Sequence, residues 1–185
     1  MRVDGAQRSA RARPPRAEPA LRGLPPVLSR DVRVLILGSF PGTASLAAGQ
    51  YYAHPRNHFW PLLSVVTGVP LTALPYRRRI TALRRSGVGL WDTIVACRRQ
   101  GSLDGAIRDA ERAQAARVRR AAPALVVVCF NGQTAARALP DWRDAGYATL
   151  ALPSSSPAYT RPFAEKLAAW QAIGAFLRDH DRTAS

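Results

Sequence analysis

At 185 residues the chain can bury one sizeable core and is too short for two domains of ordinary size. Its net charge of +15 and sequence pI near 11.5 come almost wholly from arginine, Lys166 being the sole lysine, so the balance favours a nucleic acid over an anionic membrane surface as partner. No apolar run approaches the ~20 residues of a membrane span, which excludes a transmembrane role, and two widely separated cysteines, Cys97 and Cys129, with no hydrophobic leader give the expectation of a reduced, cytoplasmic location.

The first 23 residues hold six arginines, three prolines and hardly any large apolar side chain. They read as a disordered basic tail ahead of one domain over residues 24–185. Beyond Pro25-Pro26, apolar strands alternate with helical patterns. Residues 32–37 are a β-branched run closed by Gly38, residues 87–95 (GVGLWDTIV) a shorter strand, residues 124–130 (ALVVVCF) a third, and residues 147–152 a fourth that stops at Pro153. Helical stretches cover residues 57–67, 72–85, 103–120, 133–139 and 163–178. This order predicts an α/β fold: a three-layer, doubly wound sheet of about four parallel strands joined by right-handed crossovers. In such a sheet the ligand crevice lies outside the carboxyl ends of the strands. Residues 38–42, 92–93, 131–133 and 153–158 are therefore where chemistry is sought.

Gly38, Ser39, Phe40, Pro41 and Gly42 form the first of these segments, in which the glycines let backbone approach a ligand and the proline stiffens the turn. The pattern is neither a dinucleotide fingerprint nor a phosphate loop, and an ordinary tight turn explains it equally well. Residues 50–60, QYYAHPRNHFW, crowd aromatic, imidazole, guanidinium and amide groups ahead of a helix with no periodicity, unlike a core segment. Asn57 stands where a helix N-cap is common, a role that one amide can combine with holding a water. His54 and His58 are separated by Pro55 and have no third ligand, so neither a metal nor any other cofactor is expected. In residues 152–159, LPSSSPAY, hydroxyls and backbone N–H groups lie between prolines, which suits gripping a phosphate, although a rigid surface turn is the plainer reading. No Asp and His are placed to activate Ser154, so acyl hydrolysis is not expected.

LILGSFPG, SLAAGQYYAHPRNHFW, LWDT with the later GSLD, and LPSSSPAY together resemble the uracil-DNA glycosylase superfamily, from about residue 32 to the end. Within it the match is to the hypoxanthine-DNA glycosylase branch (family 6, DNA-deoxyinosine glycosylase). The resemblance implies a uracil-DNA glycosylase-like fold and a monofunctional glycosylase of base-excision repair, acting as a monomer on DNA that contains a damaged base. In the related mismatch-specific branch the first loop reads GINPG and its Asn holds the water. Phe40 stands at that place here, so the resemblance gives the catalytic role to Asn57. It sets Tyr52 against the flipped base, with Gly38, Ser39, Phe40, Pro41, Gly42 and Phe59 around it. Asp92 and Asn131 are further candidates for pocket hydrogen bonds, structural roles being equally open for both. His54, Arg56, Ser154, Ser155, Ser156 and Tyr159 fall to the DNA, the serine loop leading into a groove-side wedge.

The chemistry required is compatible with these residues. A base inside a duplex has to be flipped into a pocket, at a cost smallest for a mispaired base. Cleavage at the anomeric carbon passes through an oxocarbenium-like state, for which a placed water and charge stabilisation matter more than a strong nucleophile. Schiff-base chemistry would need Lys166, which the pattern puts in the last helix away from these loops, so no lyase step is expected. A uracil or mismatch glycosylase and a non-catalytic basic DNA-binding module remain the competing readings.

Overall fold

A computed structural model describes residues 20–178. In chain order its elements are β1 (Leu21–Arg22), β2 (Val34–Gly38), α1 (Thr43–Ala48), α2 (Phe59–Thr67), α3 (Tyr76–Arg85), β3 (Val88–Asp92), β4 (Ile94–Arg98), β5 (Arg108–Arg112), α4 (Ala115–Ala121), β6 (Val127–Asn131), α5 (Gln133–Ala136), α6 (Leu139–Asp144), β7 (Ala148–Leu152), α7 (Phe163–Trp170) and α8 (Ile173–Arg178).

Four strands form a parallel sheet in the order β3-β2-β6-β7. Its inner strands are apolar at consecutive positions because helices cover both faces. Val34 and Ile36 of β2 join Val127 and Cys129 of β6 in one core, closed by Phe59 and Leu63 of α2, Trp170 of α7 and Ile173 of α8. Leu35 and Leu37 join Val128 and Phe130 in the other, closed by Val118 of α4, Ala135 of α5 and Trp142 of α6. Leu35, Ile36 and Leu37 are all fully buried. Each contributes ~1.5–3 kcal/mol of transfer free energy, so β2 is held from both sides and its carboxyl end is fixed in place. From β2 the chain moves outward to β3 and then returns past β2 to β6. Strand order therefore reverses between β2 and β6, and a crevice opens there.

The strand expected over residues 87–95 divides. β3 ends at Asp92, and beyond Thr93 the chain enters a second, antiparallel sheet of order β1-β4-β5. Residues 103–120 do not form one helix. A single 3₁₀ turn at Asp104–Ala106 precedes β5, and only α4 is helical. Alanine and arginine favour a helix by about 0.5 kcal/mol per residue at most, a weak preference that tertiary pairing overrides. Here Gly101 (φ 67) lies in the segment that leads from β4 to β5, and Asp109 (φ 50) sits inside β5 where its register against β4 shifts. The helices expected over residues 133–139 and 163–178 are each broken, giving α5 and α6, and α7 and α8. Of the basic tail, residues 1–19 lie outside the described residues. Leu21–Arg22 at its end pair with Cys97 and Ala96 of β4, so the ordered fold begins before residue 24. Cys97 and Cys129 are both buried and unpaired. Among the described residues no helix is long and apolar enough to cross a membrane.

Candidate active site

The crevice is a cleft of about 550 Å³ at the carboxyl ends of the parallel strands. Its floor starts where Gly38 of β2 lies in register with Asp92 of β3. A Cβ on Gly38 would stand 2.6 Å from Asp92 Oδ1 and 3.1 Å from the Tyr52 hydroxyl, so a residue without a side chain is required at this crossing. Asp92 is 4% exposed, and its Oδ2 has no hydrogen-bond partner. Burial pushes its carboxyl up, and with Tyr51 and Arg99 opposing the shift and Asp104 adding to it the group comes to about 8. The group therefore keeps its proton at neutral pH.

Tyr52 forms the aromatic part of the wall. Its φ of 53 is a left-handed conformation that L-residues rarely adopt, and such strain is found where the surroundings hold it in place. The ring lies flat on Phe59, with centroids 3.6 Å apart and planes at 12°. Phe59 is fully buried behind Tyr52 and does not line the cleft, which corrects its expected place in the pocket. Its contribution is to hold the tyrosine ring from behind. Burial and the nearby Asp92 raise the pKa of the Tyr52 hydroxyl, so it stays protonated.

Asn57 lines the same cleft. The turn through Pro55 and Arg56 closes when Asn57 N–H donates to the His54 carbonyl at 2.9 Å. The Asn57 side-chain oxygen then accepts the N–H of Phe59, the first residue of α2, at 3.0 Å. The amide is thus both a helix-start acceptor and a wall of the cleft, and the first role fixes its orientation for the second. His54 also lines the cleft, while Arg56 is exposed and lies off its wall.

Across the cleft runs the serine loop. Asn131, at the end of β6, donates to Ser155 Oγ and accepts the Ser155 N–H, both at 2.8 Å. Ser155 is fully buried, so its hydroxyl holds the loop against β6 and is not presented to a phosphate. Ser154, Ser156 and Tyr159 line the open side. Lys166 is not remote from this loop, as its place in a late helix suggested. Its Nζ donates to the Tyr159 carbonyl at 2.6 Å and to the Ser156 carbonyl at 3.3 Å, and the side chain is buried outside the cleft lining. It anchors the loop and offers no free amine to the cleft.

Sequence reasoning missed a third rim. The turn between β4 and β5 brings Ser102, Leu103 and Asp104 to the mouth of the cleft. Ser39 Oγ donates to Asp104 Oδ1 at 2.7 Å, and Ser102 Oγ accepts the Thr43 N–H at 3.0 Å. Arg99, 6% exposed, lies over the Phe40 ring at 4.8 Å and donates to the Pro41 carbonyl at 2.6 Å. The helical reading of residues 103–120 hid this turn, although Gly101 and the GSLD tetrapeptide were available as breaking signals. Among the described residues no cluster of His, Cys, Asp or Glu could hold a metal ion.

A cleft of this size, at the carboxyl ends of a parallel sheet, suits a small ligand such as a single base. The chain belongs to the uracil DNA glycosylase superfamily, whose family model matches residues 25–174, and is a DNA glycosylase. A protein of Methanosarcina barkeri (strain Fusaro) named hypoxanthine DNA glycosylase is 40% identical over 149 residues, covering 80% of this chain and 94% of its own. One of the same name from Methanosarcina acetivorans is 38% identical over 152 residues, covering 82% and 96%. A solution NMR structure of a Methanosarcina acetivorans protein, described as a candidate uracil DNA glycosylase, superposes with a TM-score of 0.79 at 36% identity, over 86% of this chain and 99% of that one.

Proposed function

We propose that the cleft receives hypoxanthine flipped out of DNA and that a water held by Asn57 hydrolyses its N-glycosidic bond. The observation that carries this reading is the Asn57 amide itself. It stands in the wall of the cleft with its oxygen pinned by the Phe59 N–H at 3.0 Å, leaving the second lone pair of that oxygen for a water. Tyr52, backed by Phe59, stacks on the base. The Asp92 carboxyl lies at the floor of the cleft, below the base. Ser154, Ser156, His54, Arg56 and Tyr159 meet the DNA around the mouth.

In the reaction the bond between the sugar anomeric carbon and the base nitrogen breaks, and its electron pair leaves with the base. Water adds to the oxocarbenium-like carbon, loses a proton, and leaves an abasic sugar. The base takes up a proton as it departs. Fixed dipoles around the cation supply stabilisation that bulk water would have to reorganise to give. The buried, carbonyl-bound Lys166 is unsuited to a Schiff base, so the DNA strand stays intact until alkali cuts it.

A uracil glycosylase is the second reading, favoured by the description of the solved Methanosarcina acetivorans protein. Base release from duplexes that contain hypoxanthine, uracil or ethenoadenine separates the two. Hypoxanthine is expected to be released fastest; faster release of uracil would replace the first reading by the second, and tight binding with no abasic product would support a non-catalytic module. The arginine-rich residues before Ala20 are proposed to add non-specific phosphate contacts. Removing them takes away five arginines, so DNA affinity is expected to fall and the slope of log K against log salt to flatten, with base preference unchanged. An unchanged salt slope would reduce the segment to an inert extension. The enzyme is proposed to act as a monomer in the cytoplasm.

A further inference from the structure

Helix α3 carries five arginines, Arg77, Arg78, Arg79, Arg84 and Arg85, and no acidic residue. Arg84 and Arg85 stand in its last turn, where a cation suits the helix dipole; Arg77 and Arg78 stand in its first turn, where a cation opposes it. The fold accounts for Arg79, which lies over the Trp60 ring at 4.8 Å and donates to the Leu74 carbonyl at 3.1 Å. Arg77, Arg78, Arg84 and Arg85 are exposed and meet no carboxylate; the ion pairs among the described residues are those of Arg98, Arg112 and Arg161. Nothing in the fold explains two unpaired cations at the wrong end of a helix.

Beside this helix lies a groove of about 590 Å³, lined by Arg77, Arg78 and Arg85 together with half-buried Val69, Leu74 and Ala82. None of its lining residues lines the active-site cleft. Its chemistry narrows the occupant. Duplex DNA presents phosphates on a polar, convex backbone and would leave Val69 and Leu74 unused. Single-stranded nucleic acid is held by aromatic rings on which its bases stack, and none of the residues lining the groove is aromatic. A peptide with apolar side chains between Asp or Glu residues satisfies both parts of the groove. Each planar guanidinium can pair with a carboxylate through two hydrogen bonds, and the apolar side chains leave water against Val69, Leu74 and Ala82.

We propose that this groove docks an acidic, leucine-containing segment of a partner protein. The test uses the full chain, a fluorescein-labelled peptide with leucines spaced between glutamates, and the same peptide with serine in place of leucine. The leucine peptide is expected to bind, and the serine peptide to bind about tenfold more weakly or worse, because it has nothing to bury against the apolar residues. Arg77→Glu/Arg78→Glu is expected to weaken the leucine peptide by about tenfold or more. That variant should melt no lower than wild type, since acidic residues in the first turn of α3 suit its dipole, so a lost fold cannot account for lost binding. Its release of hypoxanthine should stay within about threefold of wild type, because neither arginine lines the cleft. Excess undamaged duplex should leave the peptide bound. No binding of the leucine peptide, equal binding of the two peptides, or unchanged binding to the variant would overturn the proposal. Displacement of the peptide by undamaged duplex, with an equal loss of duplex affinity in the variant, would overturn it too and make the groove a DNA surface.

Discussion

Asn57→Ala is expected to lower single-turnover release of hypoxanthine by 10²- to 10³-fold, roughly the effect of removing one preorganised polar group from a transition state. The same substitution removes the acceptor of the Phe59 N–H at the start of α2. That loss costs ~1 kcal/mol, or about 2–4 °C of melting temperature for a chain of this size. Stability alone cannot explain a hundredfold loss, because a protein that melts a few degrees lower is still folded at the assay temperature. Affinity for lesion DNA should stay within about threefold, since phosphate contacts are made elsewhere. Asn57→Asp keeps the acceptor for Phe59 and should melt near wild type, so its rate reports on the cleft and not on the helix. An Asn57→Ala protein that cleaves within about threefold of wild type would remove Asn57 from the mechanism.

The second large effect is on stability against pH. Asp92 is pushed up to about 8 by burial in the folded protein, against a carboxyl value near 4 in an unfolded chain. Between those limits the folded state holds a proton that the unfolded state has released, so stability falls as pH rises. The contribution is fully present below ~4, is lost progressively as pH approaches 8, and changes no further above it. Charged and titratable groups around Asp92 do not cancel the effect: Asp104 reinforces it, Tyr51 and Arg99 oppose it, and desolvation outweighs them all. At ~1.4 kcal/mol per unit, the wild type should lose up to ~4 kcal/mol relative to Asp92→Asn between pH 5 and pH 8. Denaturant unfolding at several pH values measures this. Parallel curves for the two proteins would mean that Asp92 is ionised in the fold.

Much of this was legible in the sequence because the signals were local. Consecutive apolar residues in VLILG and VVCFN announced strands buried on both faces, and the parallel order followed from the helices between them. QYYAHPRNHFW stood out because no periodicity could account for it, and it supplies Tyr52 and Asn57 to the cleft. What the sequence hid depends on distant partners. The stacking of Phe59 behind Tyr52, the Asn131 clasp on Ser155 and the reach of Lys166 to the Tyr159 carbonyl join residues whose pairing has no local pattern. β5 was misread because its five residues are all exposed and carry no alternation; its only structural cue is the unpaired edge of β4. The Leu103 rim was lost with it.

The most direct measurement is of the products formed by the wild-type protein from a duplex with one deoxyinosine opposite thymine. Free hypoxanthine should appear in equal amount to abasic sites, and the strand should break only after alkali treatment. A protein that binds this duplex and yields neither free base nor abasic site would contradict the assignment of the cleft to N-glycosidic hydrolysis of hypoxanthine.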